Sequence, residues 1–533
     1  MTSTVPTARP AGRRLWLLAF VGFFLVIGAW AVAAPYDGAP DEPAHAVRAA
    51  GVAGGDVMPT PANAFAGTGA FQVVPKGIKG TLETGCWYHG LPETSAACAA
   101  APSADRELVS KPTSAGRYNP LYYAIVGGPL RLWPGWPGLI LARLLGAALS
   151  AALLAGAFTV LTRWSRYGLM LGGLIAVTSP IVGHMAGAIN PSGVEICAGI
   201  ALFSAGIPLF LGPARGPVRP VFWLVGISAV LLVTVRSMGP MFAAIGLATL
   251  LLPLGWGKVR ALWSTAMVRW WTVVIAVAVA LSGAWILVEK SSVLVPLKSG
   301  APLRPTQAMW AELSRWAEYL QQLVGITGWL DTRVPGPFYA VWTCVAGGLV
   351  LAGFALGTRA DRLRLLALAA GGGGLLSLIQ VVNVNEYGFI TQARYMMPLL
   401  VAVPLLGAFA IERRAGNPEM VRKLTRMVAV VLLPIHLVFL WYTMIRWQRG
   451  IKIHRPGIAD LNPFGGAWTP VLGSVLPLAA MVVGLALIGW LAWRAPLWAA
   501  SVPDQDAPGL GAEVPRPRGE AVEGLDGHVS VAV

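Results

Sequence analysis

About twelve stretches of this chain are apolar over close to the 18 or so residues that a helix needs to cross a bilayer, and no other feature restricts the fold as strongly. They fall near residues 15–34, 137–161, 167–183, 193–211, 220–235, 239–256, 271–288, 338–357, 365–382, 396–411, 427–445 and 470–493. The runs are continuous rather than alternating, so they read as helices and not as barrel strands. Only 12% of the residues are charged, where a soluble protein carries about a quarter. The sequence therefore predicts an all-α polytopic membrane protein.

The formal charge of +16 does not point to nucleic acid, which calls for a basic patch on one solvated face. Basic residues here collect in the short links between apolar runs: Arg163 and Arg166, Arg215 and Arg219, Lys258, Arg260 and Arg269, then Arg359, Arg362 and Arg364, and Arg413, Arg414, Arg422, Lys423 and Arg426. That is the signature of cytoplasmic loops. Arg13 and Arg14 put the N-terminus on the same side. The "AVAA" at the end of the first run resembles a cleavage site, but the run exceeds the roughly 7–15 apolar residues of a signal peptide and reads as a retained anchor.

Threading the chain from there leaves four extracytoplasmic segments, about 35–118, 290–336, 383–395 and 446–469, within a transmembrane domain covering 1–499. The first is far too long for a simple connection. It holds Cys86 and Cys98, which are expected to pair in a compartment that permits disulfides, although their spacing also allows two separate thiols. Cys197 and Cys344 lie in apolar runs and read as inert. Residues 500–533, rich in Pro, Gly and acidic side chains, read as a disordered cytoplasmic tail. Neither a zinc-spaced Cys/His set nor a phosphate-binding glycine loop is visible, and Gly371–Gly374 lies in an apolar run where it reads as a packing feature.

The polar residues that need an explanation sit at the outer ends of the spans. In "YDGAPDEPAHAVRAAGVAGGD", Asp41 followed by Glu42 and Pro43 predicts a helix start, and Gly54-Gly55 predicts its stop. Asp41, His45 and Arg48 then share one face, as an ionised base with basic neighbours or as a plain cap with surface ion pairs. "GRYNPLYY" returns Arg117, Tyr118 and Asn119 to the interface, "ITGWLDTRVPGP" brings Asp331 and Arg333, and "NEYGFITQARYMMP" brings Glu386, Arg394 and Tyr395. Arg236 closes another span, and "INPSGVEI" sets Asn190 and Glu195 at an outer helix start. Outer arginines break the inside-positive pattern. An anionic ligand at headgroup level accounts for them, as does snorkelling to lipid.

The segments "PDEPAHAVRA", "YNPLYY", "GWLDTRVP" and "QARYMMPLL", in this order, resemble the bacterial membrane family called domain of unknown function 2142, over most of residues 15–455. That family is in turn similar to the GT-C superfamily of integral-membrane glycosyltransferases, which use polyprenyl-phosphate-linked sugars outside the cytoplasm and carry an acidic motif in the first outer loop. The resemblance implies a GT-C-like fold with about twelve spans in the cell membrane, an extracytoplasmic site, and both termini cytoplasmic. It implies Asp41 as general base toward a cell-envelope glycan or lipid acceptor, Glu42 as its assistant, and inversion at the anomeric carbon. Candidate substrate- and lipid-phosphate-binding residues are His45, Arg48, Arg117, Tyr118, Arg236, Asp331, Arg394 and Tyr395, with Arg394 foremost. The acidic pair also raises a divalent cation, although no full ligand set is visible. A lipid or glycan transporter and a noncatalytic envelope-assembly protein are the competing readings.

Overall fold

The computed structural model describes residues 12–61, 69–87, 92–213, 217–251, 256–293, 296, 301–451 and 457–499. Arg215 and the 500–533 tail lie outside these. Among the described residues, ten helices are long and apolar enough to span a membrane. In chain order the helices used below are α1 (Gly12–Ala33), α2 (Glu42–Ala53), α3 (Pro120–Val126), α4 (Trp136–Trp164), α5 (Leu169–Val177), α6 (Pro180–Ala186), α7 (Pro191–Leu211), α8 (Val218–Val235) and α9 (Gly239–Leu251). They continue as α10 (Ala266–Glu289), α11 (Pro305–Val324), α12 (Gly336–Leu356), α13 (Arg359–Tyr387), α14 (Ala393–Arg414), α15 (Pro418–Arg449) and α16 (Val475–Ala499).

Every apolar run lands on a helix, but two depart from a simple span. The run at 167–183 is split into α5 and α6, bent by 59°. Pro180 opens α6 and can donate no backbone hydrogen bond to α5, so the continuous helix that hydropathy suggests cannot form. The run at 239–256 gives the shorter α9, whose following residues are not described.

Contacts fix the two ends of the bundle. At one end Glu412 of α14 accepts from Ser165 Oγ at 2.5 Å and from the backbone of Arg166 at 3.0 Å, beside the start of α5. There too Arg413 pairs with Asp361. The other end carries the long first loop and the starts of α7, α12 and α14. Close helix approach depends on missing side chains: a Cβ on Gly353 of α12 would lie 2.4 Å from Gly407 Cα of α14. The four-glycine run forms a π-helical turn in α13, and a Cβ on Gly373 would meet the Trp316 ring at 2.5 Å.

The first loop folds into α2, α3 and an antiparallel sheet in the order β1 (Thr60–Pro61), β2 (Ala70–Pro75), β3 (Leu108–Thr113). Along β2, Ala70, Gln72 and Val74 turn inward, while Phe71 and Val73 face out. Cys86 and Cys98 form a disulfide with Cα atoms 6.0 Å apart. The closed loop is held by Asp37, whose carboxylate accepts from Trp87 Nε1 at 2.8 Å and Gly85 N at 3.2 Å. Between sheet and bundle, α2 is buried on all sides from Glu42 to Val52, not only along one face.

Candidate active site

The α1–α2 turn delivers Asp41 in a left-handed conformation, φ 65°. Aspartate tolerates this region better than most residues. Its carbonyl accepts from His45 N at 3.1 Å, as a helix start requires, but its side chain makes no cap. The carboxylate instead crosses to α14, where Arg394 Nη2 donates to Oδ2 at 2.6 Å. The Asp41 side chain stays 44% exposed, whereas that of Arg394 is 5% exposed.

Arg394 is underused. Nη2 also donates to the Tyr395 hydroxyl at 3.1 Å, but Nε and Nη1 are buried without a partner among the described residues. Buried donors of a charged group are almost always satisfied, so Nε and Nη1 can take an acceptor from outside the chain, water or ligand alike. Arg236, at the end of α8, stands beside it: both guanidinium carbons lie 5.1 Å from the Tyr395 ring centroid, and Arg236 is 5.6 Å from that of Tyr118. From α7, Ser192 Oγ accepts from Arg236 Nη1 at 2.6 Å, and Glu195 Oε2 lies 3.8 Å from its Nε.

Electrostatics sort the two titratable groups at the mouth of this cluster. Burial pushes the Asp41 carboxyl up, but the Arg394 charge, backed by Arg236, outweighs it and holds the group below its ordinary value. Burial pulls the His45 imidazole down to about 3, against the pull of Asp41. His45 is therefore neutral, with Nδ1 2.8 Å from the Tyr123 hydroxyl.

Asp41, Tyr118, Arg236, Arg394 and Tyr395 thus come together, with His45 behind Asp41. Four other candidates take different places. Glu42 is fully buried and its oxygens each accept from Arg143, Oε1 from Nε and Oε2 from Nη2, at 2.7 Å. It turns away from the opening, so it does not face an acceptor as expected. Arg48 donates to the carbonyls of Val57 at 3.0 Å and Tyr118 at 2.9 Å, tying α2 to the segments before β1 and after β3. Among the described residues its side chain makes no hydrogen bond or ion pair with Asp41, Arg236, Arg394 or Tyr395, and neither does that of Arg117, which is buried with its carbonyl accepting from Trp285 Nε1 at 3.0 Å. Asp331 closes its own turn through Trp329 N at 3.1 Å and pairs with Arg446 of α15 at 2.8 Å, so it is consumed by structure.

Arg143 escaped the sequence reading. It is one ionisable residue inside the apolar run 137–161, and an intramembrane charge is by itself a signal. The acidic pair is not a ligand set for a divalent ion, since both Glu42 oxygens are taken up by Arg143 and the Asp41 carboxylate is left alone. Among the described residues no group of three or more His, Cys, Asp or Glu is arranged for a metal.

Comparison with known proteins gives one family and two solved structures. A family profile described as predicted membrane protein (DUF2142) matches residues 23–403. The chain is similar to the crystal structure of ArnT from Cupriavidus metallidurans in the apo state, at 12% identity and TM-score 0.44, covering 92% of this chain and 78% of that one. For ArnT from the same organism bound to undecaprenyl phosphate the identity is 14%, the TM-score 0.40 and the coverage 91% and 77%. No curated protein matches. These overlaps are loose, and no residue role is carried over from them.

Proposed function

The chain belongs to the DUF2142 family of predicted membrane proteins, and on that premise we propose that it is a GT-C-like glycosyltransferase that moves a sugar from a polyprenyl-phosphate donor to a cell-envelope acceptor. One observation carries the reading. A partly open carboxylate, Asp41, lies against a buried arginine, Arg394, that keeps two donors free, with a second arginine, Arg236, sharing its tyrosine. A base and an anion cradle in one site are what single-displacement transfer from a phosphate needs.

In this mechanism Asp41 takes the proton of an acceptor hydroxyl as its oxygen attacks the anomeric carbon from the face opposite the phosphate. The bond from that carbon to the phosphate oxygen breaks, its electron pair stays on the phosphate, and the configuration inverts. Arg394 and Arg236 offset the charge that develops on the leaving oxygen. Tyr118 and Tyr395 fix the two guanidinium planes, and neutral His45 supports α2 from behind. A lipid-linked donor also suits an apolar cavity of about 260 Å³. Met397, Leu400, Val401 and Pro404, which follow Arg394 on α14, line it together with Trp316 and Leu323 of α11.

Cells lacking the gene should accumulate one polyprenyl-linked sugar and lose one envelope glycan, and lipid extracts resolved by mass spectrometry would show it. Unchanged pools in the deleted strain, with the glycan intact, refute the transferase reading. Normal pools with a lipid or glycan trapped on one leaflet favour the transporter.

We place the sheet-bearing end outside the cytoplasm, in the cell membrane, with both termini inside. A Met58→Cys variant, exposed at the first loop, should react with an impermeant maleimide in intact cells. Reaction only after the cells are opened reverses the orientation.

A further inference from the structure

The proposed reaction needs Asp41 held at one place, yet among the described residues its side chain is tethered only by the ion pair to Arg394. What fixes it must be the residues on either side. Arg143, rising from α4, gives Nη1 to the carbonyls of Ala31 at 3.0 Å and Ala34 at 2.9 Å, and Nη2 to that of Pro35 at 2.5 Å. Ala31 lies in the last turn of α1 and Ala34 and Pro35 follow its end, so Arg143 acts as a C-terminal cap supplied by another helix. The rest of its guanidinium holds Glu42, the first residue of α2. One arginine therefore joins the end of α1 to the start of α2 across the turn that contains Asp41.

A second strap comes from the start of α7. Ile189 N donates to Glu42 Oε1 at 3.0 Å, and Asn190 Nδ2 donates to the carbonyl of Pro40 at 2.9 Å. Asp41 is thus flanked by Pro40 and Glu42, both fixed from outside the turn. Its left-handed backbone and the direction of its side chain follow from that.

We infer that Glu42, Arg143 and Asn190 are positioning residues that set the turn carrying the base, and that Glu42 takes no proton from the acceptor. This rests on the glycosyl-transfer reading given above. Lysine cannot replace Arg143, because a single ammonium cannot reach a bidentate carboxylate and the α1 carbonyls together.

The test uses the full chain in nanodiscs, with transfer from a polyprenyl-phosphate sugar as one readout. Glu42→Gln and Arg143→Lys should each lower kcat by roughly 100-fold, the scale of a base displaced by about an ångström, with the donor KM within about threefold of wild type. The acid limb of the pH profile should keep its wild-type position, as Asp41 still titrates. Wild-type kcat in Glu42→Gln overturns the inference, and so does loss of the acid limb in that variant, which would make Glu42 the base.

A second readout needs no activity. An Asp41→Cys, Arg394→Cys pair should be joined by a short bifunctional thiosulfonate, at least fivefold faster than when Glu42→Gln is added. Equal rates overturn the positioning role. An inactive wild type whose cross-linking still depends on Glu42 would sink the transferase reading and leave the strap standing. Should Glu42→Gln fail to fold, Asn190→Ser, which keeps a cap for α7 and removes the Pro40 strap, should lower both kcat and the cross-linking rate several-fold. No change in either overturns the inference.

Discussion

Asp41→Asn is expected to reduce sugar transfer by about a thousandfold, the middle of the 10²–10⁴ range for loss of a general base. The substitution suits the site because asparagine accepts the left-handed backbone that Asp41 adopts, so the α1–α2 turn should survive. Membrane insertion and elution as a single detergent-solubilised species should match wild type. Turnover at the wild-type rate would remove Asp41 from the chemistry. The pH dependence sharpens the test. Burial raises the Asp41 carboxyl but Arg394 lowers it further, so it is ionised through the neutral range. His45, drawn down to about 3, does not titrate there. In the wild type kcat/KM should be flat from about pH 5 to pH 8 and fall only at or below the ordinary carboxylate range. A limb near pH 6 to 7 would place the base elsewhere.

Arg394→Gln should have the next largest effect, a loss of about 10²–10³ in kcat with a raised donor KM, because it takes a charge-assisted donor from the leaving phosphate. The same change removes the charge that holds Asp41 down. The Asp41 carboxyl should then rise toward its ordinary value, and the acid limb of the remaining activity should move to higher pH. A purely structural arginine would cost activity without moving that limb. Arg394→Lys should recover only part of the loss, since one ammonium cannot serve Asp41, Tyr395 and a phosphate together.

Local signals carried the start and stop of α2 correctly: the Asp-Glu-Pro entry and the Gly54-Gly55 exit both hold in the structure. The same signals left the Asp41 side chain open between a cap and an ionised base, and no side-chain cap forms, because the choice between its own helix and a distant arginine is a tertiary matter. Glu42 was expected to assist Asp41 because the family resemblance implies a paired acidic motif. Neighbours in a turn point in different directions, and the partner that decides for Glu42 lies 101 residues away. Arg394 and Arg236 were legible because they break the expected charge asymmetry on one side of the membrane. Arg48 broke it too, yet it satisfies backbone carbonyls, which charge counting cannot distinguish from ligand binding. The break between α5 and α6 was visible in Pro180 but is hidden from any hydropathy average.

The arginine–carboxylate contact at the centre of the site spans 353 residues of chain, and Arg446 reaches back over 352 to the carbonyl of Thr94. During synthesis the first loop must therefore wait, with Asp41 unpaired, while nearly all the later helices enter the membrane. A chain halted before residue 393 would hold most of its spans and none of its chemistry. The Asp41–Arg394 contact therefore arrives late, and an unfinished protein in the membrane carries no half-built site.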